Sequence, residues 1–147
     1  MSAHAEPRPV TQTAPWSLVQ KGVLAICLFQ LGWATAGLIA EPSFDFGEGA
    51  PTATVLWVDF NGVHALSGFL LFAPGLLFAT RKSWAMLYSW ATAFALLVTG
   101  LWALASTAPA GVFSFPNNER DAVLHIGTGL AFLALALVQL RRDSAAL

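Results

Sequence analysis

Four long stretches of the chain carry no Asp, Glu, Lys or Arg: residues 22–40, 62–80, 83–118 and 122–140. At 1.5 Å per residue, about 20 residues cross a hydrocarbon core of about 30 Å, so each stretch is long enough for one membrane helix. A backbone in lipid must satisfy its own hydrogen bonds, which makes each span helical. The pattern predicts an all-α fold, a bundle of four transmembrane helices over 15–39, 60–80, 83–105 and 120–140.

Little chain remains outside these spans. Residues 1–14 are polar, contain two prolines and lack apolar periodicity, as expected of a frayed tail. Residues 15–142 make a single four-helix membrane domain and 143–147 a short C-terminal tail. The connections leave no room for a soluble domain of about 50 residues. Trp33-Ala34-Thr35-Ala36-Gly37 has the look of a signal-peptide cleavage site. The apolar run before it is long for such a signal and is broken by Gln30 and Gly32, so the first span is read as retained.

Composition agrees with the pattern. Of 147 residues, 56% are hydrophobic and 10% charged, against about 25% charged in soluble domains. The one cysteine, Cys27, lies inside the first span and reads as a packing residue. Pro74, inside the second span, predicts a static bend.

Charge adds the orientation. Arg8, Lys21, Arg81, Lys82, Arg141 and Arg142 fall on one side of the four spans and only Arg120 on the other. Positive residues favour the cytoplasm, so both termini are expected there, in a bacterial inner membrane, with the two longer loops outward. The first of these, residues 41–59, is acidic and carries Phe44, Phe46, Leu56 and Trp57, expected at the outer interface. Trp16 and Trp84 read as anchors at cytoplasmic helix starts, and Trp33, Trp90 and Trp102 as packing or lipid-facing.

Two helices share a polar mark. Asn61-x2-His64-x3-Gly68 runs on to Arg81-Lys82, and Asp121-x3-His125-x3-Gly129 runs on to Arg141-Arg142. Each histidine precedes its basic pair by nearly the same interval, about 25 Å of helix, which puts both at one depth near the outer face. Phe44-Asp45-Phe46 and Phe113-Ser114-Phe115 echo each other in the outer loops. The chain thus reads as an internal repeat, two similar hairpins related by a pseudo-twofold along the membrane normal. Residues four and seven apart share a helix face. His64, Gly68, Leu71 and Gly75 form one stripe, and Asp121, His125, Gly129, Phe132 and Ala136 another. Small residues on such stripes allow close helix packing, which assigns Gly68, Gly75 and Gly129 to helix interfaces.

An ionisable group inside a membrane segment raises a functional question. In one reading His64 and His125 hydrogen-bond across the bundle, to Asn61, Asp121 or a backbone carbonyl, while Asn117 or Asn118 caps the fourth helix and Glu119 and Asp121 favour its positive end. In a second they ligate, either as axial ligands of haem b or another tetrapyrrole with Arg120 near its propionates, or with Asp121 or Glu119 around a divalent metal. A proton relay is disfavoured, because below the histidines the spans hold few polar groups. No P-loop, G-x-G-x-x-G, G-x-S-x-G or H-E-x-x-H pattern occurs, so no catalytic residue is assigned.

The arrangement Asn61-x2-His64, a basic stop at Arg81-Lys82, a third helix, then Asp121-x2-Leu124-His125-x3-Gly129 resembles a family of small bacterial, often actinobacterial, four-helix membrane proteins catalogued as a domain of unknown function. The likeness covers about residues 55–141, with a looser fit in the first helix. It implies four spans and polar marks at Asn61, His64, Asp121 and His125, but no activity. The resulting expectation is a non-catalytic structural or accessory membrane protein in the lipid bilayer, associating with a membrane-protein partner or itself. No cofactor is expected under that reading and no nucleic-acid partner; haem b electron transfer and divalent-metal binding are the alternatives.

Overall fold

The computed structural model describes residues 15–47, 49–105 and 119–146. Among these the elements are α1 (Leu18–Ala40), β1 (Ala53–Val55), β2 (Val58–Phe60), α2 (Gly62–Phe78), α3 (Lys82–Ala105) and α4 (Glu119–Ser144). The expected tail over 1–14, the Phe113-Ser114-Phe115 echo and the cap at Asn117 or Asn118 lie outside the described residues. The chain is a membrane protein: α1, α3 and α4 are each long and apolar enough to span a bilayer.

Helix ends follow local chemistry. Ser17 opens α1 with a capping box: its hydroxyl accepts from the Gln20 N–H, and the Gln20 side chain accepts from Ser17. That moves the start past Pro15 and Trp16, which the expected span included. At the expected second span, 60–80, α2 is a shorter apolar helix of 17 residues, about 25 Å. Phe60 is drawn into β2 and Asn61 caps the helix. At the other extreme α4 continues through Asp143 and Ser144, so the expected tail from 143 begins as helix. Lys82 Nζ and Gln139 Nε2 both hold the Asp143 carboxylate there, at 2.6 and 2.8 Å.

The helices pack mainly as two hairpins, α1 against α2 and α3 against α4, with lighter contact between them. At one end Gln20 Nε2 donates to the Ala79 carbonyl (3.0 Å), and the Val19 N–H donates to Gln139 Oε1 (3.2 Å). These bonds gather the start of α1, the α2–α3 turn and the end of α4, where Lys21, Arg81, Lys82, Arg141 and Arg142 lie. Val19, Val23, Cys27, Phe72, Tyr88 and Phe132 form the central core. Tyr88 Oη donates to the Leu71 carbonyl at 2.8 Å and accepts from the Cys27 thiol. That supports α2 beside Pro74, whose missing N–H leaves the Leu70 carbonyl without its helical donor.

The fold is not purely α. Ala53–Val55 and Val58–Phe60 form an antiparallel hairpin inside the expected outer loop, with Val55 paired to Val58 and Ala53 to Phe60. Val58 and Phe60 are buried against Trp33, while Leu56 and Trp57 stay exposed at the tip. The tip is a tight turn: the Trp57 N–H donates to the Val55 carbonyl at 2.7 Å, and Leu56 sits at φ 57°. A leucine there carries none of the Gly or Asn signals by which short hairpins are recognised. Trp33 Nε1 donates to the Val55 carbonyl (3.1 Å), so this indole is a buried anchor for the hairpin. Gly37 lets the hairpin approach, since a Cβ there would run into the Phe60 ring.

Candidate functional site

The hairpin and the starts of α2 and α4 converge at the end opposite Lys21, Arg81, Lys82, Arg141 and Arg142. Asn61, fully buried, caps α2: its Oδ1 accepts from the His64 N–H at 3.0 Å and its Nδ2 donates to the Asp45 carbonyl at 3.1 Å. Capping spends the side chain on backbone. Asn61 therefore positions His64 and is not one of the groups that meet its ring.

His64 is fixed from two sides. Its ring stacks on Phe60, with centroids 4.6 Å apart, and its Nδ1 lies 3.1 Å from the Asp59 carbonyl oxygen. A carbonyl oxygen only accepts, so Nδ1 carries a proton; in a neutral ring Nε2 then holds the lone pair, and in an imidazolium it too donates. Nε2 faces Asp121, 3.4 Å from Oδ1. His125, one turn along α4, directs its own Nε2 at the other oxygen of the same carboxylate, also at 3.4 Å.

Asp121 thus sits between the two imidazoles, whose centroids are 6.3 Å apart. It is 2% exposed and lies in the first turn of α4, where the helix dipole favours a negative charge. The ligand atoms of His64, Asp121 and His125 all lie within 4.8 Å of one another. Glu119 and Arg120, the other charged groups named from the sequence, are exposed at the helix start.

A cavity of about 400 Å³ adjoins this cluster. Its walls are mostly apolar, with Leu71, Phe72, Leu96 and Leu124, and its polar side chains include Gln30 and Thr128, joined by a 3.1 Å hydrogen bond. Gln30 stood out in the sequence as a polar residue within a span; nothing local marked the cavity. Gly68 lines the same cavity and abuts Ala34 of α1, whereas Gly75 packs against Cys27 and Tyr88, and Gly129 against Ala93 and Leu97 of α3. Gly68 therefore serves the α1–α2 approach, Gly75 the approach of α2 to both α1 and α3, and Gly129 the α3–α4 approach.

Neither the curated proteins nor the solved structures contain a match to this chain. A family model does match, and it takes in residues 20–138, including nearly all of α1, which the sequence motifs alone fitted only loosely. The polar marks at Asn61, His64, Asp121 and His125 all fall inside that match, and the chain belongs to the family described as a domain of unknown function, DUF4383.

Proposed function

We propose that this protein binds a divalent transition-metal ion near the outer face of the bacterial inner membrane, held by His64, His125 and Asp121. The carrying observation is the convergence of His64 Nε2, oriented by the Asp59 carbonyl on Nδ1, and of His125 Nε2 on the one buried carboxylate of Asp121. With the rings neutral, two nitrogen lone pairs and a carboxylate converge there, a donor set that a cation satisfies. A backbone carbonyl on the far nitrogen is also the usual second partner of a metal-ligating histidine. Two ligands about 2.0–2.1 Å from one tetrahedral ion stand about 3.4 Å apart; each histidine lies that far from its own Asp121 oxygen, and the three donor atoms lie within 4.8 Å of one another. Two imidazoles and a carboxylate suit a borderline ion such as zinc or iron(II) and leave coordination positions open.

The surrounding architecture in this reading is a four-helix bundle with both termini cytoplasmic and the site outward. Its two hairpins are similar halves about an axis along the membrane normal. The matched intervals from each histidine to its basic pair support this, as do the adjacent rings.

A structural or accessory role is the second reading of the same contacts. A proton in place of the metal would make the cluster a clamp between hairpins, and the protein would associate with a partner or itself. Charge-assisted N–H···O bonds draw in to about 2.7–2.9 Å, and the 3.4 Å separations favour the metal. Bis-histidine haem has less support, because both Nε2 atoms address one carboxylate that would have to leave.

Metal content decides between them. Detergent-purified protein exposed to zinc or cobalt(II) and then desalted should retain about one ion per chain, with tetrahedral or five-coordinate cobalt absorption. His64→Ala and His125→Ala should each abolish it. A wild-type protein that retains no ion, yet loses thermal stability in both variants, would overturn the metal reading in favour of the clamp.

A further inference from the structure

The cavity beside the cluster points to a second ligand. Gln30 and Ala34 on α1 and Phe72 and Leu96 on its inner walls are buried, whereas Ser67 on α2 and Ala95, Thr99 and Trp102 on α3 line it and are exposed. The cavity therefore opens sideways between α2 and α3, toward lipid. On the hairpin side Phe60, 5% exposed and stacked on His64, covers the cluster. The two hydroxyls at the mouth are already committed to their own helices, Ser67 to the Val63 carbonyl (3.0 Å) and Thr99 to the Ala95 carbonyl (2.9 Å). Neither hydroxyl thus has to be desolvated without a partner when an acyl chain lies at the mouth.

Charge sets the head group. A divalent ion with one carboxylate, Asp121, and two neutral imidazoles carries a net charge of about +1, and an unbalanced charge among apolar walls is costly. One singly negative oxygen ligand at an open metal position makes the site neutral. Without the metal, the same ligand would meet the Asp121 carboxylate and be repelled.

We infer that the cavity takes a membrane-soluble, long-chain carboxylate, its head on the metal held by His64, Asp121 and His125 and its chain leaving between α2 and α3 into the bilayer. This rests on the metal reading above and goes beyond it by naming the class of ligand.

The test is equilibrium binding of radiolabelled palmitate, and of hexadecanol as its neutral counterpart, to the full-length protein in detergent, zinc-loaded or stripped with chelator. The zinc-loaded protein should bind about one palmitate per chain, at least tenfold more tightly than the stripped protein and than hexadecanol. Ser67→Trp and Thr99→Trp, which plug the mouth away from the metal, should lose palmitate while keeping the cobalt(II) spectrum. Zinc-loaded protein that binds palmitate no better than hexadecanol, or plugged variants that bind it as the wild type does, would overturn the inference and leave the metal site standing. Failure to retain zinc or cobalt at all would overturn the metal reading and this inference with it.

Discussion

His64 on α2 and Asp121 on α4 meet across the two helical hairpins, Nε2 to Oδ1 at 3.4 Å, while the Asp59 carbonyl holds the far nitrogen of the ring, Nδ1. The pair ties together elements that otherwise touch little in this part of the fold. Asp121→Asn keeps the shape and removes the charge. It should weaken cobalt(II) binding by about 100-fold or more, beyond the range for outer-shell partners. Titration followed by visible absorption measures this, and an unchanged affinity would remove Asp121 from the ligand set.

Asn61 acts through the backbone. Asn61→Ala deletes the cap on the His64 N–H and the bond to the Asp45 carbonyl, and cap removal costs about 1 kcal/mol. Thermal unfolding in detergent should register a loss of that size or somewhat more, with metal stoichiometry still about one per chain.

Leu56 holds a left-handed φ of 57° at the hairpin tip while 79% exposed. Its side chain gains little there and pays for the backbone, at about 1–2 kcal/mol for a non-glycine residue. Part of that is offset by the greater freedom of glycine in the unfolded chain. Leu56→Gly should therefore stabilise the protein by about 0.5–1 kcal/mol in the same assay.

Two glycines make a matched contrast. A Cβ at Gly75 would collide with Cys27 Sγ and the Tyr88 ring, whereas one at Gly127 meets nothing within 4 Å. Gly75→Ala should destabilise by about 1–3 kcal/mol through overpacking. Gly127→Ala should be neutral or stabilising by up to about 1 kcal/mol through helix propensity. Equal effects at the two positions would contradict the packing described.

The proposed orientation is open to labelling. In a Cys27→Ala background, Gly49→Cys should react with a membrane-impermeant maleimide on intact spheroplasts. Thr80→Cys, in the α2–α3 turn, should react only after permeabilisation. The reverse pattern would invert the topology.

The sequence by itself determined much of the plan. Long uncharged runs required membrane helices, since an unpaired backbone cannot stay in lipid. The matched spacings picked out His64 and His125, and the resemblance to an uncharacterised membrane family agrees with the family model that matches residues 20–138. Hydropathy and helical period are local properties, legible residue by residue.

What the tertiary structure decided lay outside that range. Asn61 and Asp121 looked equivalent in the two histidine-bearing stretches, yet Asn61 faces its own helix end while Asp121 lies between both rings. That difference depends on how the hairpins sit together, and lipid-facing and protein-facing apolar surfaces have the same composition. The β-hairpin escaped notice because Leu56 holds a turn conformation by tertiary support, with Trp33 and Gly37 of α1 seating Val55 and Phe60. The cavity is a gap between the four helices, and no segment of sequence encodes a gap.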